Sequence, residues 1–234
     1  MDKPPLAPSI TLASLGMSCQ AAHQAARYAE AREGVSFAKG PLDWTVVPPE
    51  RLADWLERDL DAPVPGEVVE RRDHAWWPRG GLWFWHGYRV KEERDGATVR
   101  RLAIAETFER EREKLDHQRE TIRRLDPRRT LFVWTNAQDN LDRSRWASGI
   151  YDPPEHGAFH LRIDSAQRIR AALEHFVGGP ASILFLVRPD RTDGTGVPLD
   201  VEGSEWKGND AAWDRALDVA IAQLRAKEPL TAGS

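Results

Sequence analysis

The chain alternates short apolar runs with segments in which apolar residues recur at helical spacing. Apolar runs predict strands at residues 10–15, 35–38, 130–135, 158–163 and 182–187, with a further short strand at 199–201. The helical period predicts helices at residues 19–32, 51–60, 103–125, 166–176 and 209–224. Strands that alternate with helices predict an α/β fold, a three-layer domain with a mostly parallel central sheet.

Proline and charge interrupt this alternation between residues 61 and 80. That stretch is expected to be a long loop that could act as a lid, and an aromatic strand is expected after it at 81–88. Residues 1–9 are expected to form a disordered leader, 10–226 a single α/β domain, and 227–234 a frayed tail.

The lone cysteine of the chain, Cys19, follows the first predicted strand at the start of the first predicted helix. Ser18 is a good N-cap residue, so Cys19 is expected in the first helical turn. Unpaired N–H groups and the helix dipole favour an anion there, and a thiol so placed can have a lowered pKa. The sequence thus predicts a reactive thiol, although a small buried cysteine at a tight junction explains the same pattern.

A cysteine nucleophile needs a base, a group that orients the base, and donors for the oxyanion. His86, at the end of the aromatic strand, is the first candidate base; His23, one turn after Cys19, is the rival. Asp43 or Asn136 could orient the imidazole, or simply cap turns. Cys19, Asp43, His86 and Asn136 all follow predicted strands. Their side chains converge on one rim of the sheet if those strands are parallel neighbours.

Several polar and aromatic residues around this rim are candidate binding residues. Oxyanion donors would be the backbone N–H groups of Cys19 and Gln20. The tryptophan-rich segment 74–88 would line a cleft, although core packing explains tryptophans as well. The candidate binding residues are Ser18, Gln20, Trp44, Trp85 and Asp139.

Composition limits the function classes. A net charge of −4 gives no general reason to bind nucleic acid or an anionic membrane. One cysteine excludes an internal disulfide and a cysteine-rich metal site, so no metal is expected, and no nucleotide motif or other cofactor signature is present. The absence of a signal-like or membrane-spanning segment makes the cytoplasm the expected location.

Residues 14–19 read SLGMSC, residues 41–44 read PLDW, and a leucine-rich helix follows. These motifs resemble a bacterial family described as papain-like cysteine peptidases, specifically over residues 10–60 and more loosely to about 135. His86 after an aromatic strand is similar to the family's histidine, while Gly87 and Trp134 depart from its pattern. The resemblance implies cysteine-dependent chemistry; the fold expectation comes from the strand–helix alternation.

The leading hypothesis is a thiol-dependent acyl-transfer enzyme, a peptidase-like or amidase-like hydrolase that acts on a small-molecule, peptide or glycan substrate. Cys19 would be the nucleophile and His86 the base. One alternative is a non-catalytic module that binds sugar or peptide in a tryptophan-lined cleft. Another is a glycan-acting α/β enzyme that uses Asp43 and His86, with Cys19 structural. The sequence leaves the oligomeric state open.

Overall fold

A computed structural model describes residues 9–71, 73–138, 158–199 and 206–227. The predicted leader and tail therefore lie almost wholly outside the described residues, as does Asp139. The elements are β1 (Ile10–Ser14), α1 (Cys19–Glu30), β2 (Val35–Ala38), β3 (Thr45–Val46), α2 (Pro49–Glu57), β4 (Val69–Arg71), β5 (His74–Trp77), β6 (Leu82–Phe84), β7 (Arg89–Arg94), β8 (Ala97–Leu102), α3 (Ile104–Arg123), β9 (Thr130–Thr135), α4 (Ile163–Val177), β10 (Ser182–Val187), β11 (Val197–Pro198) and α5 (Asp210–Ala226).

The main sheet has five strands in the order β11-β10-β9-β1-β2, and every neighbouring pair is parallel. In the middle of this sheet Leu12 of β1 is aligned with Leu131 of β9. The mixed α/β class and the parallel sheet predicted from the sequence are confirmed. Because parallel strands end at the same edge, the loops after β1 and β9 leave the sheet side by side.

Side chains that alternate along β9 belong to two different hydrophobic clusters. Leu131 and Val133 pack in one cluster with α1 and α5, whereas Phe132 and Trp134 pack in the other with α2 and α4. Each of these large side chains is buried, and full burial of one such side chain stabilises the fold by about 1.5–3 kcal/mol. Because both sets of alternating side chains are buried, β9 is an unbroken apolar run.

A second, antiparallel sheet has the strand order β3-β6-β5-β4, and its strands β4 and β5 lie within the loop expected at residues 61–80. Along β5 the burial alternates, so that Ala75 and Trp77 face the core while His74 and Trp76 are only partly buried. Trp77 packs edge-on against Trp55, and its indole N–H donates to Glu67 Oε2 at 3.2 Å. The loop expectation is therefore wrong for residues 69–71 and 74–77, and Trp77 is a core residue of this sheet.

Strands β7 and β8 form a hairpin that the sequence pattern did not reveal. Both strands are polar and largely exposed, so they lack the apolar alternation by which a strand is recognised. Their turn is Asp95-Gly96, with left-handed φ values of 53° and 76°. An Asp-Gly dipeptide is a strong local hairpin signal, and it was the one cue available.

All five predicted helices are present, with ends that differ by a few residues from the predicted ones. Helix α5 begins after Asn209, whose side chain caps it by accepting a hydrogen bond from Ala212 N at 3.2 Å. The strand predicted at 158–163 is wrong, since Leu161 makes only an isolated bridge with Thr192 and α4 already begins at Ile163. The last short strand is Val197–Pro198, slightly earlier than predicted. Among the described helices, none combines the length and apolar character needed to cross a bilayer.

Candidate functional site

A strained turn between β1 and α1 places Cys19. Gly16 and Met17 both have left-handed φ values, 75° and 70°. A side chain at position 16 would bring its Cβ to 2.9 Å from the carbonyl oxygen of Leu42, so glycine is required there. Met17 accepts the unfavourable conformation, at a cost of order 1 kcal/mol or more, while its side chain is fully buried in the core. The turn delivers Cys19 as the first residue of α1, as predicted.

The N-terminus of α1 is capped by Ser18. Its hydroxyl oxygen accepts a hydrogen bond from the backbone N–H of Gln20 at 3.4 Å. The backbone N–H of Cys19 lowers the pKa of the thiol on the same residue. Of the two expected oxyanion donors, the N–H of Gln20 is thus already engaged by the cap.

A cavity of about 720 Å³ opens at this point of the fold. It is lined by Ser18, Cys19, Trp44, Val46, Trp85, His86, Arg100, Lys114, Gln138 and Trp206. The cavity brings together the candidate nucleophile, the first candidate base and three of the candidate binding residues. The sequence reasoning missed Arg100, Lys114, Gln138 and Trp206, because their relation to Cys19 depends on how the hairpin, α3 and the loops fold over α1.

The thiol of Cys19 is protonated at neutral pH. Burial, which leaves the residue 9% exposed, raises the pKa of this thiol from 9.0 to about 12. The N–H of Cys19 lowers the pKa and the charge of Asp43 raises it further, both by less than burial. The expected pKa lowering at the helix start is wrong, since loss of hydration outweighs the favourable backbone dipoles.

His86 follows β6 of the antiparallel sheet, whereas Cys19 follows β1 of the parallel sheet. The two sheets thus each contribute one of these residues to the cavity. Its ring packs edge-on against Trp44, with 5.1 Å between ring centroids. Partial desolvation lowers the pKa of His86 below 6.5, and the positive charges of Arg100, Arg89, His74 and Lys114 lower it further. The imidazole is therefore neutral at neutral pH, the form that accepts a proton.

The rival base, His23, does not line this cavity. Its ring lies against Trp206, with 5.2 Å between centroids. Partial burial is the main cause that lowers the pKa of His23, followed by the charge of Lys207. Of the two histidines considered from the sequence, His86 is the one that shares the cavity with the thiol.

Asp43 is 2% exposed and is not among the residues that line the cavity. Its Oδ2 accepts a hydrogen bond from Gly40 N at 3.0 Å, and its Oδ1 has no hydrogen-bond partner among the described residues. Burial raises the pKa of Asp43 to about 7, against the opposing effects of the Gly40 N–H, Lys114 and Lys39. Within the described part of the chain no hydrogen bond joins Asp43 to His86, so the orienting role expected for Asp43 is not assembled here.

Asn136 ties three backbone segments together. Its side-chain amide donates to the carbonyl oxygens of Phe159 and Arg191, both at 2.9 Å, and its Oδ1 accepts from Arg188 N at 2.9 Å. The residue is fully buried. Because these hydrogen bonds engage both ends of the amide, Asn136 stabilises the loop after β9 rather than orienting His86.

The other candidate binding residues support the aromatic wall of the cavity. Gln20 is fully buried, and its Nε2 donates to the carbonyl oxygen of Trp206 at 3.3 Å. Trp85 stacks on His74 with 3.8 Å between ring centroids. Trp44 is 41% exposed and Trp206 is 37% exposed, so both present indole surface at the mouth.

Among the described residues, no group of three or more His, Cys, Asp and Glu side chains is arranged to hold a metal ion. Comparisons of the chain with protein-family models, with curated proteins and with solved structures gave no match.

Proposed function

We propose that the protein is a thiol-dependent acyl-transfer enzyme, a cysteine hydrolase of peptidase or amidase type, with Cys19 as nucleophile and His86 as base. The observation that supports this most directly is that the thiol at the start of α1 and the imidazole after β6 open into one cavity. The cavity volume of about 720 Å³ is within the range of small-ligand sites.

The site would lie on a three-layer fold. Helices α1 and α5 share one hydrophobic cluster with the central strands, and α2 and α4 share the other. A three-layer arrangement of this kind puts the loops after β1 and β9 at the carboxyl edge of the sheet, where α/β proteins bind their ligands. The antiparallel sheet would then complete the site by supplying His86.

The protonation states define how the first step would proceed. Because the thiol is protonated at neutral pH, its proton would move to neutral His86 while Sγ forms a bond to the acyl carbon. The backbone N–H of Cys19 would donate to the oxyanion. The imidazolium would return the proton to the leaving group as its bond to the acyl carbon breaks, which leaves a thioester on Cys19.

The second step would restore the enzyme. His86, neutral again, would accept a proton from water as the water oxygen attacks the thioester carbonyl, and Sγ would leave with that proton. The products are a carboxylic acid and the free thiol. If an amine or alcohol attacks instead of water, the same proton transfers give an amide or an ester.

A binding module without catalysis is the second candidate. The observation that favours it is the burial of Cys19, which raises the pKa of the thiol to about 12, next to an aromatic wall suited to a sugar or a peptide side chain. The glycan-acting alternative finds less support, since Asp43 does not line the cavity that contains His86.

Hydrolysis of a panel of 4-nitrophenyl esters, followed at 400 nm or so as nitrophenolate release, tests the proposal. Cys19→Ala should abolish turnover, and Cys19→Ser and His86→Gln should reduce it by about a hundredfold or more. His117→Gln, on the exposed face of α3, is the matched control for the histidine variant and should keep full turnover. Full activity of Cys19→Ala would favour the glycan-acting alternative. No turnover by the parent chain would favour the binding module.

A further inference from the structure

Two basic side chains from different elements line the cavity. Arg100 comes from β8 and Lys114 from α3, and both are exposed to solvent. No aspartate or glutamate is among the described residues that line the cavity. The described walls therefore bring two positive charges and the imidazole of His86 to the cavity, and no carboxylate from the described part of the chain lines it.

The neighbouring arginine on β8 behaves differently. Arg101 points to the opposite face of the hairpin, where it pairs with Glu92 at 2.5 Å and with Glu106 at 3.1 Å. Arg100 forms no ion pair within the described residues. Lys114 Nζ is 3.5 Å from Oε2 of Glu111, one helical turn away, and Glu111 also pairs with Arg110 at 2.9 Å. Within the described residues, Arg100 is thus available to a ligand and Lys114 shares one carboxylate with Arg110, whereas Arg101 pairs with two glutamates.

Indole rings line the same cavity as these charges. Trp44 and Trp206 are the exposed tryptophans at the mouth, and Trp85 is held in place by its stacking on His74. A flat apolar group gains contact area on such rings, and a sugar ring or an aromatic ring both present one. Arginine in particular suits a planar oxyanion such as a carboxylate or a phosphate, which its fork of N–H donors can bind in bidentate fashion.

We propose that the cavity takes a small ligand that has a flat ring and carries a carboxylate or phosphate group, with the ring against the tryptophans and the oxyanion at Arg100 and Lys114. As the substrate class of acyl transfer this rests on the proposed function, but as a binding property it is tested without catalysis. The two cations would fix the orientation of the ligand and leave its acyl group toward Cys19.

Calorimetric titration of the Cys19→Ala chain provides the test, because that variant cannot turn a substrate over. The probes are benzoate, phenyl phosphate and neutral benzyl alcohol, which share a ring and differ in charge. At low ionic strength one or both anions should bind at least about tenfold more tightly than the alcohol, and the stronger anion identifies the oxyanion. Equal affinity for all three, or no binding of either anion below about 10 mM, would overturn the proposal.

Variants locate the binding on these residues. Arg100→Gln and Lys114→Gln should each weaken the preferred anion by about fivefold and leave the alcohol unchanged. Arg101→Gln on the same strand and Arg112→Gln on the same helix are the matched controls, and both should bind the anion as tightly as the parent chain. Anion affinity that is insensitive to both cavity variants would contradict the assignment. Because every titration lacks the thiol, failure of acyl transfer and failure of anion binding are read separately.

Discussion

The carboxyl group of Asp43 raises the pKa of the Cys19 thiol, although the two residues are 24 positions apart in the chain and follow different strands. Asp43 precedes β3 of the antiparallel sheet, whereas Cys19 follows β1 of the parallel sheet. Each of the two groups is mainly held in its neutral form by burial. An ionised Asp43 disfavours a thiolate in the resting enzyme. The sulfur would therefore become an anion only when a base takes its proton during the reaction.

Alkylation of Cys19 should therefore be slow at neutral pH. With a thiol pKa near 12, the rate of reaction with iodoacetamide should keep rising through about pH 10 without reaching a plateau. Asp43→Asn removes the smaller of the two causes that raise the pKa, so it should speed alkylation only by about two- to fivefold. Asp95→Asn, in the exposed hairpin turn, is the control and should not alter the rate. A plateau below about pH 8 would contradict the protonation state described above.

The buried carboxyl group of Asp43 should make stability depend on pH. Its pKa is raised from 3.8 to about 7, so the folded state binds this proton more tightly than the unfolded chain does. The contribution of Asp43 to the free energy of unfolding should hence fall as pH rises from 3.8 to about 7, by about 4 kcal/mol in all. Urea unfolding at pH 5 and pH 8 should show Asp43→Asn gaining stability relative to the parent chain at the higher pH. A difference between the two chains that is independent of pH would refute this.

The activity should extend to acidic pH. The base must be neutral, and the pKa of His86 is lowered below 6.5 by partial desolvation and by neighbouring cations. The value of kcat/KM should therefore begin to fall only below pH 6.5, as His86 becomes protonated. Arg100→Gln removes one of those cations, so the acidic limb should move to higher pH. Asp43→Asn should leave that limb in place, because Asp43 is not among the charges that act on His86.

Asn136→Ala should destabilise the fold without a specific effect on catalysis. The variant leaves the carbonyl oxygens of Phe159 and Arg191 and the N–H of Arg188 without their partner, which should cost about 3 kcal/mol or more. Asn209→Ala removes only a helix cap and should cost about 1 kcal/mol. Chemical unfolding measures both costs. A loss of kcat in Asn136→Ala that exceeds the loss of folded protein would return Asn136 to the catalytic site.

Local sequence signals were sufficient to predict where Cys19 lies. Ser18 is a helix cap by its chemistry, and the apolar runs of β1 and β9 report burial on both faces of a sheet. These features depend on residues close together in the chain. The parallel sheet followed from them because strands alternate with helices.

The surroundings of Cys19 could not be predicted in the same way. The pKa of its thiol depends on how much of the sulfur is covered by residues that are distant in sequence, and burial outweighed the local helix dipole. Arg100 entered the site on a polar hairpin that has no apolar alternation. The interpretation of residues 61–80 as a loop failed at β4 and β5, because prolines and charges concealed an alternation in β5 that buries Trp77.

The claim that Cys19 is the acyl acceptor is tested most directly by trapping the thioester. The chain is mixed with a 4-nitrophenyl ester that it hydrolyses, quenched in acid, and examined by intact-mass and peptide-mapping mass spectrometry. We expect one acyl group per chain on Cys19, no acyl group at position 19 of Cys19→Ala, and much slower acylation of His86→Gln. Continued turnover with no acyl group on Cys19, or undiminished turnover by Cys19→Ala, would contradict the account.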